Sequence, residues 1–248
     1  MVKGLDTFQR YFADYKEQYV LIGGAACDIL FESNEVNFRA TRDLDMVLII
    51  EALTPEFGEK FWKFIVDGKY RNKATNGRNP QFYRFDKPED DNFPKMIELF
   101  CRSDFKLKNA KGITPIHIDD EVSSLSAILL NDDYYKALLN GKEVRNGLSV
   151  LRPEYLILFK AKAYLDLKMR KDLGEEVDSN DVKKHKKDIL RIASELLLEK
   201  VEELPIAVDA DIHSFIDLLE QEPFDQNSLK RYGLKNEDVV EVLKQVFG

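Results

Sequence analysis

The segment Tyr19-Val-Leu-Ile-Gly-Gly-Ala-Ala26, read with Arg39-Ala-Thr-Arg-Asp-Leu-Asp-Met-Val-Leu-Ile-Ile50 downstream, leaves this 248-residue chain few folds to choose from. An apolar run, a glycine pair and then small helix-favouring residues predict a strand, a tight turn and a helix start. Gly23 and Gly24 lack a Cβ, so the turn can adopt unusual dihedrals and bring its amides close to a ligand. Amides at a helix N-terminus favour anions, phosphate among them. The second piece predicts a strand carrying Asp43 and Asp45. Strand side chains alternate faces, so both carboxylates point one way and Leu44 and Met46 the other. Carboxylates held side by side repel, and a divalent cation relieves that repulsion. Hard oxygen ligands of this kind suit Mg²⁺, which is held by one or two carboxylates together with substrate phosphates.

These residues, Gly23-Gly24, a helix, and Arg39-Ala-Thr-x-Asp-Leu-Asp45, resemble the signature of the DNA polymerase β-like nucleotidyltransferase superfamily. The arginine-alanine-threonine lead-in is similar to its abortive-infection AbiEii/AbiGii toxin-type branch. The interval from Gly24 to Asp43 is longer than in the compact superfamily motif, which predicts a longer helix or an inserted loop around Glu32–Asn37. The resemblance implies a metal-dependent transfer of an NMP unit from an NTP to an acceptor. The metal would be Mg²⁺ or Mn²⁺, held by Asp43, Asp45 and a third acid. Gly23, Gly24 and Ala25 would cradle phosphate through their amides, with Arg39, Thr41 and Arg42 beside them. The implied acceptor is an RNA end, a protein hydroxyl or a small molecule, and the toxin-type branch implies an antitoxin protein as partner. A catalytically degenerate nucleotide-binding or regulatory module is the alternative.

A formal net charge of −8 opposes general coating of nucleic acid, because the whole molecule repels a polyphosphate. It leaves room for a local basic patch. No apolar run approaches the ~20 residues that span a bilayer, and the start Met1-Val-Lys-Gly-Leu-Asp lacks the apolar core of a secretory signal. Two cysteines, Cys27 and Cys101, build no disulfide framework and fit a reducing cytoplasm.

Along the chain, Leu5 to Tyr15 predicts an amphipathic helix capped by Asp6 or Thr7. Thr54-Pro-Glu-Phe opens a helix with proline early, and Gly68 stops it. Lys69–Pro80 reads as a loop. Gln81–Phe85 and Lys95–Arg102 read as strands joined by an acidic turn. Glu98 shares a strand face with Met96 and Phe100, an isolated acid in an apolar stretch. Either this is an edge strand with Glu98 facing water, or Glu98 is a third carboxylate beside Asp43 and Asp45, completing a second metal site or activating the acceptor oxygen. Ile113–Ile118 predicts a strand with His117 as a packing residue, Glu121–Leu130 a helix, and Asp132–Leu139 a short helix. Asn146-Gly147 is the strongest hairpin signal in the sequence.

From Pro153 onward the pattern is helical, which predicts an α/β (α+β) chain: residues 1–150 as a nucleotidyltransferase-type mixed β-sheet flanked by helices, and 151–248 as a helical C-terminal part packed on that core. Leu156, Lys160, Ala163 and Leu167 form one helical stripe, so Lys160 interrupts a packing face. Its ammonium either snorkels to water or points at a nucleotide phosphate. Asp178 or Ser179 caps the next helix, where Lys184, Asp188 and Arg191 lie at ion-pairing spacing. Lys160-Ala-Lys162-Ala followed by Lys184-His-Lys-x-Asp188 is similar to the lysine and aspartate motifs of the AbiEii-type family. That likeness implies that Lys160 holds the triphosphate and Asp188 orients an acceptor or a basic partner, with Lys162, His185 and Lys186 as further phosphate contacts. The remainder predicts helices capped at Asp209 or Asp211 and at Asn236, with His213 and Cys101 as packing residues.

Overall fold

A computed structural model describes residues 2–34, 43–72, 82–100 and 131–248. Its contacts divide the chain into two units, residues 1–118 with 142–151, and residues 119–141 with 152–248.

The first unit is built on a mixed sheet. Helix α1 (Leu5–Phe12) leads through a 3₁₀ stretch into β1 (Tyr19–Ile22), α2 (Gly23–Glu32), β2 (Asp43–Leu48), α3 (Pro55–Asp67), β3 (Arg71–Asn72), β4 (Phe82–Asp86) and β5 (Met96–Phe100). The hairpin β6 (Lys142–Arg145) and β7 (Leu148–Leu151) closes it. The strand order is β3-β4-β5-β2-β1-β7-β6. β2 runs antiparallel to β1 and parallel to β5, and β1 runs parallel to β7. One face of the sheet is covered by aromatics. Tyr19 meets the rings of Phe8 and Phe12, and Phe85 meets Phe61 and Trp62 of α3. Phe8, Phe12, Phe57, Phe61 and Phe64 are all fully buried, so this aromatic layer is the core that fixes the sheet's orientation.

The expected class, a mixed α/β sheet with helices followed by a helical part, is what forms. Several boundaries differ from expectation. α1 starts at Gly4, at φ 82°, and not at an Asp6 or Thr7 cap. A side chain at Gly4 would strike the backbone of Phe93 and Pro94 at 2.3 Å, so the entry angle is set by a tertiary contact rather than by a capping hydroxyl. Arg71 and Asn72, expected in a loop, pair with Asp86 and Phe85 as the short edge strand β3. α3 opens at Thr54-Pro55 and ends at Gly68, both as expected, and Thr54 caps it by accepting from the amide of Phe57. The Asn146-Gly147 turn has positive φ at both residues, the I′ arrangement that suits a two-residue hairpin.

The second unit contains α4 (Asp132–Asn140), α5 (Pro153–Asp172), α6 (Ser179–Glu195), α7 (Ile206–Gln221), α8 (Gln226–Tyr232) and α9 (Asn236–Phe247). α4 clusters with these helices, although on sequence it fell within 1–150. Asp178 caps α6, its carboxylate accepting from the Asn180 amide at 2.8 Å. α7 starts at Ile206 after Pro205, ahead of the expected Asp209 or Asp211, and Asp211 instead receives the Tyr134 hydroxyl. Lys235, one residue before the expected Asn236, occupies the cap of α9. Among the described residues no helix is long and apolar enough to cross a membrane.

Candidate functional site

Two of the acids expected to act together, Asp45 and Glu98, lie in one cross-strand row of the first unit. The registers pair Ile22 with Asp45, Asp45 with Glu98, and Glu98 with Arg84, across β1, β2, β5 and β4. Residues paired in register share a face, so Asp45, Glu98 and Arg84 all project opposite to the aromatic layer. Asp43, two residues before Asp45, projects with them at the start of β2. β5 lies between β4 and β2 and Glu98 is 6% exposed, so the alternative of an edge strand with a water-facing glutamate is excluded.

Glu98 is held there by charge. Arg84 donates from Nε to Glu98 Oε1 at 2.8 Å, and a terminal guanidinium nitrogen lies 2.5 Å from the same oxygen. Burial pushes the Glu98 carboxyl above its ordinary range, and the negative charge of Asp43 adds to that. Its hydrogen bond with Asp45 and the Arg84 guanidinium pull it back. Among the described residues three acids and one arginine thus share this face, and carboxylates held that close favour the approach of a cation or a proton.

The glycine corner abuts this row. β1 passes directly into α2 at Gly23, whose φ of 63° makes the change of direction without an intervening turn. A Cβ at Gly23 would lie 2.0 Å from Oδ2 of Asp45, so only glycine lets the carboxylate and the helix start approach this closely. Gly24 and Ala25 follow, buried in the first turn. Among the described residues no side chain caps these amides and no acid lies in the first turn, so the positive end of α2 faces the carboxylate row uncapped. Accordingly, Gly23→Ala should displace Asp45 and reduce the affinity of this face for divalent cations by about tenfold or more, while Gly24→Ala has a smaller effect. Calorimetric titration with Mn²⁺ checks the ordering.

The donor set fits a divalent cation through Asp43 and Asp45, since such ions are commonly held by one or two carboxylates plus substrate oxygens. Among the described residues no three acidic, histidine or cysteine side chains form a ready-made metal cage. Glu98 is shared between Asp45 and Arg84. Arg84 is the residue of this face that the sequence analysis did not single out. Its signal was available: the β4–β5 pairing is centred on Asp91, inside the acidic turn already identified, and folding the sequence about that point sets Arg84 opposite Glu98.

Lys160 and Asp188 belong to the second unit. Lys160 Nζ donates to Asp188 Oδ2 at 2.8 Å, with both residues buried, at 6% and 2% exposure. The ammonium therefore does not snorkel; it is held inside by a carboxylate on the next helix. Lys162 is paired with Asp166 and Asp211 at 3.1 and 3.2 Å. Lys186 donates to the carbonyls of Glu222 and Pro223, and His185 is buried at 9% exposure. Arg39, Thr41, Arg42, Arg102, Cys101 and His117, with the strand expected at Ile113–Ile118 and the helix at Glu121–Leu130, lie outside the described residues.

No protein-family model matches the chain, and no curated protein does. Among solved structures, an antigenic nucleotidyltransferase-like protein from Paracoccidioides brasiliensis is similar at 15% identity, with a TM-score of 0.48 over 98% of this chain and 93% of that one. JHP933 from Helicobacter pylori is similar at 14% identity, with a TM-score of 0.33 over 97% and 85%.

Proposed function

We propose that this protein transfers a nucleotidyl unit from an NTP to an acceptor, using the face formed by Asp43, Asp45 and Glu98. The observation that supports this most directly is the meeting of Asp45 with Gly23, a carboxylate row set against an uncapped helix start. Anionic phosphate favours the helix amides, while a cation favours the acids, so a metal-bound triphosphate satisfies both halves of the site at once. Asp43 and Asp45 would hold Mg²⁺ or Mn²⁺, which supplies charge neutralisation at the phosphates. The amides of Gly23, Gly24 and Ala25 would orient the phosphate chain. Glu98, with its carboxyl raised by burial, is suited to accept a proton from the acceptor hydroxyl, and Arg84 would keep it aimed. Phosphoryl-type transfer depends mainly on positioning and charge, so this set suffices in kind.

The test is pyrophosphate release from each of the four NTPs with Mg²⁺ or Mn²⁺, in the presence and absence of bulk RNA and of a protein mixture. Metal-dependent release that requires one acceptor class is the expected result. NTP binding with no release across all acceptors would assign the face to a nucleotide-binding module instead.

A further inference from the structure

A lysine-lined cavity lies within the helical unit, about 550 Å³ in volume. α5 contributes Lys168 and Lys171 to its wall, and α6 contributes Lys183, Lys186 and Lys187. Three acids, Asp172, Glu222 and Asp225, share the lining, so positive charge is in excess there while the whole chain carries −8.

Part of that charge is engaged. Lys168 pairs with Glu222 at 3.0 Å and Asp172 at 3.3 Å, and Lys171 donates to Ser179 Oγ at 2.7 Å. Lys186 sits over the rings of Tyr164 and Phe224, at 5.6 and 5.5 Å, and donates to the Pro223 carbonyl at 3.2 Å. Burial pushes its ammonium below the ordinary lysine range, so the site holds it at a cost. Lys183 and Lys187 are different. They stand one turn apart on α6 and both are exposed; the charge of Lys187 helps hold the Asp225 carboxyl below its ordinary range, but among the described residues neither lysine forms a close ion pair. Like charges at that spacing destabilise a helix, and a shared anion reverses the sign of the effect.

We infer that this lysine-lined cavity binds a small polyphosphate-bearing ligand. Lysine ammoniums act as mobile point charges on phosphate rather than as planar forks for a single carboxylate. Several of them on two facing helices match an anion with more than one phosphoryl group. The volume falls in the range of small-molecule sites, which suits a ligand of nucleotide size. This inference does not rest on the transfer reading, since every lining residue belongs to the other unit.

Calorimetric titration of the full-length protein with inorganic tripolyphosphate, in EDTA and at low salt, tests it. With no divalent cation present, a site built on Asp43 and Asp45 is silent. The expected result is saturable binding that weakens as salt is raised, is weakened about tenfold or more in Lys183→Glu/Lys187→Glu, and is unchanged in Asp45→Asn. Both lysines are exposed, and circular dichroism with a thermal melt confirms that the double variant folds. Absence of binding, wild-type affinity in the double variant, or loss of binding in Asp45→Asn overturns the inference. So does single-stranded RNA binding that tripolyphosphate fails to displace.

Discussion

Replacing Asp45 by asparagine should lower nucleotidyl transfer by a factor on the order of a thousand or more, and should leave the protein as stable as before or slightly more so. The two halves of this expectation come from the same geometry. Asp45 stands between Gly23 and Glu98, beside Asp43 on the same face of the sheet. Asparagine preserves the shape and can donate an amide hydrogen to Glu98, so the contact that joins β2 to β5 persists. It also removes one negative charge from a face where Asp43 already raises Glu98. Like charges held together in a fold are retained at some expense in stability, and where function requires them the neutral variant is usually the more stable one. A thermal melt and a transfer assay on the same preparation therefore decide more than either alone. Lost activity with a stable fold supports the cation reading. A marked loss of stability would make Asp45 a structural element of the sheet, with its partnership to Glu98 the reason for its place.

The pattern of alternation makes one aspect of this site legible in the sequence. Asp43 and Asp45 share a face because a strand has a period of two, and Glu98 shares a face with Met96 and Phe100 for the same reason. What alternation cannot supply is which strand lies beside which. The parallel pairing of β2 with β5 joins residues more than fifty positions apart, through a connection that local propensity does not specify. The edge-strand alternative for Glu98 stayed open for that reason alone. Local signals with a complete mechanism in four residues, such as Thr54-Pro55 and Asn146-Gly147, predicted their structures closely. Signals that needed a distant partner did not. Gly4 begins α1 because of Phe93 and Pro94, and Arg71 extends the sheet because Asp86 lies opposite it. The helical unit shows the same limit, since α4 follows the sheet-forming segments in sequence yet clusters with helices that come after the hairpin.

Lys160→Ala should destabilise the helical unit by about 3–5 kcal/mol, the usual consequence of leaving one member of a buried ion pair without the other. The stripe Leu156, Lys160, Ala163 and Leu167 makes a lysine on a packing face conspicuous and leaves its ammonium two destinations, water or a nucleotide phosphate. The structure excludes the first: Asp188, 28 residues away on α6, receives the ammonium at 2.8 Å, with both side chains buried. An ammonium and a carboxylate that have both surrendered hydration depend on each other far more than an exposed pair does. Denaturant unfolding of Lys160→Met, Asp188→Asn and the double variant measures that dependence as a coupling energy, expected at about 2 kcal/mol or more. The same variants separate the two roles available to Lys160. If its ammonium serves the buried pair, NTP affinity per folded molecule is unchanged and the whole effect appears in stability. If it also reaches phosphate, affinity falls even under conditions where the variant is fully folded. A Lys160→Met protein with wild-type stability would contradict a stabilising role for the buried pair that joins α5 to α6.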